Sequence, residues 1–119
     1  MNILLLQFEN VLFSIANKKG LIVKKEHRFL EEYKYRFDYA IVEKKIAIEV
    51  EGGTFVYGRH NSPVGFREDV IKYNLATMNG WRVYRITTEM IRRNAFIFPT
   101  AKRPNRKTVT LEDFLDTIM

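Results

Sequence analysis

Two stretches of alternating residues, separated by a short polar segment, constrain the fold more than any other feature of the sequence. In residues 33–42 and 45–51, large apolar or aromatic side chains alternate with charged or smaller ones. A period of two is typical of β-strands, because successive side chains point to opposite faces of a sheet. The polar pair Glu43-Lys44 between the stretches predicts the tip of a β-hairpin.

Three acidic side chains are predicted on one face of this hairpin. With the turn centred on the polar pair, Asp38 lies opposite Glu49, and Glu51 follows on the same face. Opposed residues have Cβ atoms about 5 Å apart, and like charges there destabilise a sheet. Mg²⁺ would offset this cost, since it binds one or two carboxylates together with waters and substrate phosphates. The alternative is a solvated acidic face balanced by Arg36 and Lys45.

The chain is basic, with 20 Lys and Arg against 14 Asp and Glu in 119 residues, a net charge of +6. This balance favours a polyanionic partner, either nucleic acid or an anionic membrane surface. A basic protein with a carboxylate metal site is typical of a phosphodiesterase, because the metal can polarise a phosphate oxygen and supply activated water.

Composition excludes several other kinds of site. The chain has no cysteine, so disulfides, thiolate metal sites and a cysteine nucleophile are ruled out, and two histidines are too few for a His-rich zinc site.

Neither a membrane-spanning apolar run nor a signal peptide is visible. We therefore expect a single intracellular domain, residues 1–119, that does not act at a membrane.

Helical periodicity, alternation and turn residues divide the remainder of the chain into further elements. The predicted elements are a helix over 3–17 ended by Gly20, an extended stretch over 21–29, a helix over 66–79 ended by Gly80, a strand over 81–86, a short helix over 87–91 and a terminal helix after Thr110. This order predicts an α/β (α+β) domain with a central mixed β-sheet flanked by helices.

Two glutamates outside the hairpin are candidates to complete the acidic site. Glu9 lies on the largely apolar surface of the first helix, where an uncompensated charge is costly. Its alternative role is that of a boundary residue paired with a lysine. Glu26, just ahead of the sheet, is the second candidate.

The segments 36–40 and 46–53, Arg-Phe-Asp-Tyr-Ala and Ile-Ala-Ile-Glu-Val-Glu-Gly-Gly, resemble the PD-(D/E)XK nuclease superfamily. The continuation is similar to a phage and bacterial endonuclease-like branch, through Gly52-Gly53-Thr54, Gly58-Arg59-His60, Phe66 with Asp69 and Lys72, and Gly80-Trp81-Arg82-Val83. The resemblance covers most of residues 3–91. It implies a restriction-endonuclease-like core in αβββαβ order and DNA endonuclease activity.

The resemblance also implies the site. Asp38 and Glu49 would be ligands of Mg²⁺, with Mn²⁺ as a substitute, and Glu9 would complete the metal site. The spacing from Glu9 to Asp38, the length and the charge are similar to those of small archaeal-type Holliday junction resolvases. Those are homodimers acting on four-way junctions in DNA recombination and repair.

Two residues depart from the superfamily pattern. Phe37 stands where the pattern has Pro, and Glu51 stands where it usually has a Lys that helps position water and stabilise charge on the phosphate. Lys72 on the following helix is expected to supply an ammonium group instead. Its alternative role is that of a solvated helix lysine.

Phosphate contacts are predicted from basic residues that surround the acidic face. Arg59 and His60 lie in a flexible loop shortly after Glu51, with a phosphate contact expected of Arg59 and positioning of water or leaving group expected of His60. The other predicted DNA-binding residues are Arg36, Lys18 and Lys19. No base-reading helix is visible, so binding through phosphates and DNA shape is expected.

The sequence thus predicts a Mg²⁺-dependent DNA endonuclease that prefers branched DNA. Two alternatives stay open: a non-catalytic DNA-binding or assembly module on a decayed nuclease fold, which Glu51 favours, and a nicking or repair endonuclease that acts on linear duplex.

Overall fold

The computed structural model describes residues 2–52 and 63–119. In these ranges the elements are α1 (Ile3–Lys18), β1 (Lys24–Arg28), β2 (Arg36–Ile41), β3 (Ile46–Glu51), α2 (Pro63–Met78), β4 (Arg82–Thr87), α3 (Thr88–Arg93) and α4 (Leu111–Ile118). The predicted order and the α/β (α+β) class are confirmed. Several element boundaries differ from the prediction by one to three residues, and α2 begins at Pro63 instead of Phe66. Proline is well tolerated in a first helical turn, where its missing N–H has no partner to lose.

The chain divides into two compact units. One is Lys24–Arg85, and the other combines the chain up to Val23 with Ile86–Met119. Each is described by itself below, and the single domain over residues 1–119 stays a prediction.

The sheet has the order β1-β2-β3-β4, and β2 runs antiparallel to both of its neighbours, β1 and β3. β4 follows β3 through α2, the crossover that parallel neighbours need, so the sheet is mixed. Tyr39 pairs with Ile48 and Ala40 with Ala47, which is the predicted hairpin register. The tip is longer than the predicted pair, because a 3₁₀ turn over Val42–Lys44 is followed by a left-handed Lys45.

Small side chains bring α2 close to the sheet. Ala40 and Ala47 on the hairpin are buried with Ala76 of α2, in one cluster with Phe37 and Trp81. The Phe37 and Trp81 rings lie 4.9 Å apart, so both aromatics belong to the core. Residues four apart share a face of a helix. The face of α2 that carries Ala76 therefore also carries Lys72.

Local signals end or begin several helices. Gly20 adopts a φ of 69° after α1, Thr87 accepts the Met90 N–H at the start of α3, and Thr110 caps α4. α1 packs against α3 and α4 within its own unit. In the two described ranges, no helix combines the length and apolar character needed to cross a membrane.

Candidate active site

A cleft of about 430 Å³ in the Lys24–Arg85 unit collects charged side chains from β1, β2, β3 and α2. Its lining residues are Glu26, Lys34, Tyr35, Arg36, Asp38, Glu49, Val50, Glu51, Lys72 and Tyr73. The cleft therefore brings together six predicted site residues that lie up to 46 positions apart in the sequence (26 to 72).

Asp38 and Glu49 hold each other in place across the hairpin. The Asp38 backbone N–H donates to Glu49 Oε2, and the Val50 backbone N–H donates to Asp38 Oδ2, both at 2.8 Å. The two bonds follow the Tyr39–Ile48 pair along the hairpin, away from its tip. At this position each carboxylate accepts an N–H group of the opposite strand. Both carboxylates are thereby fixed in orientation before any ligand binds.

Glu49 is further engaged by two side chains of α2. The Lys72 ammonium forms an ion pair with Glu49 Oε1, and the Tyr73 hydroxyl donates to the same oxygen at 3.2 Å. Glu49 and Lys72 are both buried, with exposed side-chain fractions of 6% and 8%. The alternative in which Lys72 is a solvated helix lysine is therefore wrong.

Burial raises the pKa of Glu49, and the adjacent Lys72 ammonium opposes that rise only in part. The pKa of Tyr73 is also raised, first by burial and then by the negative charges of Glu49 and Glu51. Tyr73 accordingly keeps its proton and acts as a hydrogen-bond donor at neutral pH.

Glu51 is buried and pairs with a cation that the sequence analysis did not identify. Arg85 Nε lies 2.7 Å from Glu51 Oε1, and the Arg85 side chain is half exposed. The Arg85 guanidinium lies 4.8 Å from the Tyr73 ring centroid and Lys72 Nζ lies 5.4 Å from it, both within cation–π range. The available signal was an arginine inside the predicted strand over 81–86.

The donor set decides which metal the cleft could take. Within residues 2–52 and 63–119, no group of three or more His, Cys, Asp and Glu side chains is arranged to hold a metal ion. Asp38 and Glu49 offer two adjoining carboxylates, while Glu51 is paired with Arg85. Two carboxylates with waters and substrate phosphate suit Mg²⁺, whereas a structural zinc site needs more protein ligands.

The two candidates for the completing glutamate belong to different units. Glu26 lines the cleft, and the register of its neighbours, Lys25 with Tyr39 and His27 with Phe37, places it across from Asp38. Its φ of 52° is a left-handed conformation that non-glycine residues seldom adopt. Glu9 is half-buried on α1, in the other unit. Its part in the metal site stays a prediction.

The predicted DNA-binding residues have different positions. Arg36 is exposed and lines the cleft. Lys18 and Lys19 lie at the end of α1 in the other unit, where Lys19 Nζ is 3.0 Å from Asp116 Oδ1. Arg59 and His60 lie outside the described residues, so their roles stay predictions.

No protein-family model matches the sequence, and no curated protein matches it. Among solved structures, the chain is similar to the catalytic domain of the homing endonuclease I-Bth0305I, at 21% identity and a TM-score of 0.49. The alignment covers 72% of this chain and 80% of that one. Membership of the PD-(D/E)XK superfamily stays a prediction.

Proposed function

We propose that this protein is a metal-dependent DNA endonuclease. The observation that carries the proposal is the pair Asp38 and Glu49, two carboxylates oriented by backbone N–H groups in a cleft with cations beside them. A site of this kind in a chain of net charge +6 suits a polyanionic phosphodiester substrate.

Asp38 and Glu49 would hold Mg²⁺, or Mn²⁺ as a substitute. The bound metal would polarise a phosphate oxygen and lower the pKa of water. Lys72 is a positioning residue in this proposal, because its ammonium is buried against Glu49. It orients that carboxylate and offsets its negative charge in the metal-free protein.

Arg85 has the exposure that Lys72 lacks. Half of its side chain reaches solvent while Nε stays on Glu51. Arginine presents several N–H donors, so its remaining donors can contact a phosphate without breaking this pair. We assign Arg85 the phosphate contact expected of the lysine that Glu51 replaces.

The test is strand cleavage of supercoiled and linear DNA with Mg²⁺, compared with EDTA and with an Asp38→Asn variant. Metal-dependent cleavage that the variant loses, while it still binds DNA, supports an endonuclease.

A specific observation favours the second candidate, a non-catalytic DNA-binding module: Glu49 and Glu51 are both already neutralised by cations. If the second candidate is correct, the parent and the Asp38→Asn variant both bind DNA and neither cuts it.

For the substrate we propose branched DNA bound by a homodimer, on the strength of the resemblance to junction resolvases. Affinity for a four-way junction and for a linear duplex of equal length should be compared over a salt series in Ca²⁺, which limits cleavage. Tighter binding to the junction at every salt concentration supports the proposal, and a dimer should be visible by light scattering. Equal affinities, with nicking of the duplex, would instead indicate a nicking or repair endonuclease.

A further inference from the structure

Residues 97–109, which are exposed for most of their length, form a basic arm between α3 and α4. An antiparallel bridge joins Ile97 to Val109, with the Val109 N–H donating to the Ile97 carbonyl at 2.7 Å. A second bridge, between Thr100 and Arg103, closes the tip.

The base of the basic arm is fixed to the helices of its own unit. The Leu111 N–H donates to Asn94 Oδ1 at 2.8 Å, which ties together the two ends of the arm. Phe96 stacks on Phe114 of α4 with ring centroids 5.1 Å apart. These contacts anchor the base of the arm to its unit. Binding a ligand therefore costs little additional conformational entropy in the arm.

Four cations lie near the tip with no acid to balance them. They are Lys102, Arg103, Arg106 and Lys107, all exposed, and the sequence has no Asp or Glu from Asn94 to Thr110. Among the described residues, none of the four has an ion-pair partner. Arg92 and Arg93 nearby differ, because both pair with Glu89.

We propose that the basic arm binds the phosphate backbone of duplex DNA, and this inference rests on DNA being the substrate of the proposed function. Exposed cations without acidic partners gain most from neutralising phosphates, since binding releases counterions from the DNA and breaks no ion pair in the protein. From Thr100 to Lys107 the arm carries only polar, small and basic side chains and Pro104. It lacks the amphipathic helix by which basic segments enter a membrane surface.

The test uses two arm variants, K102Q/R103Q and R106Q/K107Q, and a matched control, R92Q/R93Q. All three remove two positive charges from the same unit, but the control removes cations that are already paired. Each is made in an Asp38→Asn background, so that DNA is bound and not cut. Duplex affinity is measured by fluorescence anisotropy over a salt series.

The slope of log affinity against log salt is negative. Each arm variant should make it less steep by about 1.8, at about 0.9 per phosphate contact. That corresponds to an affinity loss at 0.1 M salt about 60-fold greater than at 1 M. The control should change the slope by less than half as much. Arm variants whose slopes match the control would overturn the inference, as would variants that keep DNA affinity but no longer bind phosphatidylserine vesicles.

A separate readout distinguishes this inference from the proposed function. With Asp38 intact, the arm variants should need more DNA than the parent to reach half of the maximal cleavage rate, because the basic arm is proposed to bind the DNA and not to cut it. If the parent binds duplex through the arm but cuts no DNA under any metal condition, the endonuclease proposal fails and the arm inference stands.

Discussion

Lys72 on α2 and Glu49 on β3 form an ion pair in which both side chains are more than nine-tenths buried. Such a pair does not by itself stabilise a protein, because removing two charges from water costs about as much as their attraction returns. Its effect here is geometric. Together with the N–H of Asp38 and the hydroxyl of Tyr73, Lys72 holds the Glu49 carboxylate in one orientation at the cleft.

Replacing Lys72 by Met should lower the free energy of unfolding by about 3–5 kcal/mol, since it leaves a buried carboxylate without its counter-ion. The double variant K72M/E49Q should recover part of that loss, because no buried charge remains. Urea unfolding of the parent, both single variants and the double variant measures the coupling. The exposed pair Arg92 and Glu89 is the control, with a coupling of about 1 kcal/mol or less. Additive losses at Lys72 and Glu49 would contradict the ion pair.

Lys72→Ala should also reduce the rate of DNA cleavage by orders of magnitude with little change in DNA affinity. The reason is that Lys72 orients Glu49 and does not contact the backbone of the substrate. Single-turnover rates and binding constants, measured separately at a temperature where the variant is folded, test this split. A loss confined to affinity would make Lys72 a phosphate contact.

Asp38→Asn should abolish cleavage, by about a hundredfold or more, and leave the fold intact. The amide keeps an oxygen that can accept the Val50 N–H but lacks the charge that a divalent cation needs. Removing one of two adjoining carboxylates should leave the free energy of unfolding unchanged or higher. Cleavage is scored on plasmid DNA and the fold by circular dichroism. Full activity would disprove the metal site.

Arg85→Gln should lower the cleavage rate about tenfold to a hundredfold, through loss of a charged contact to the phosphate in the transition state. Arg85→Lys should restore only part of the rate, since an ammonium cannot keep the Glu51 pair and present the same set of donors. The variant R85Q/E51Q controls for a buried Glu51 left without its partner. If it regains the parent's rate, Arg85 serves only to neutralise Glu51.

Stability should depend on pH through Glu49. Its pKa lies above the ordinary value of 4.5 in the folded protein, so the folded state binds more protons there than the unfolded state. The free energy of unfolding that Glu49 contributes therefore falls as pH rises from 4.5 through the raised pKa, and is constant above it.

The measurement is the stability of the parent minus that of Glu49→Gln, in EDTA, by urea unfolding from about pH 4 to pH 8. The difference should decrease as pH rises. An increase would mean that Lys72 outweighs burial and holds the pKa of Glu49 below its ordinary value.

Local patterns in the sequence were sufficient for most of the secondary structure and for the centre of the site. The alternation of residues 33–42 and 45–51 determined the hairpin and its register, because a slip by one residue would turn every side chain to the other face. That register alone placed Asp38 beside Glu49. The helix caps at Thr87 and Thr110 and the turn at Gly20 depend on neighbouring residues only, so they too were predictable.

The cations of the site were decided by the tertiary structure. Lys72 meets Glu49 because alanines on β2, β3 and α2 let the helix approach the sheet, and Arg85 meets Glu51 because the α2 crossover leads the chain to β4 beside β3. Glu26 reaches the cleft through its pairing with β2 and a left-handed backbone. The two ion pairs join residues 23 and 34 positions apart (49 with 72, 51 with 85), and no periodicity within one element encodes them.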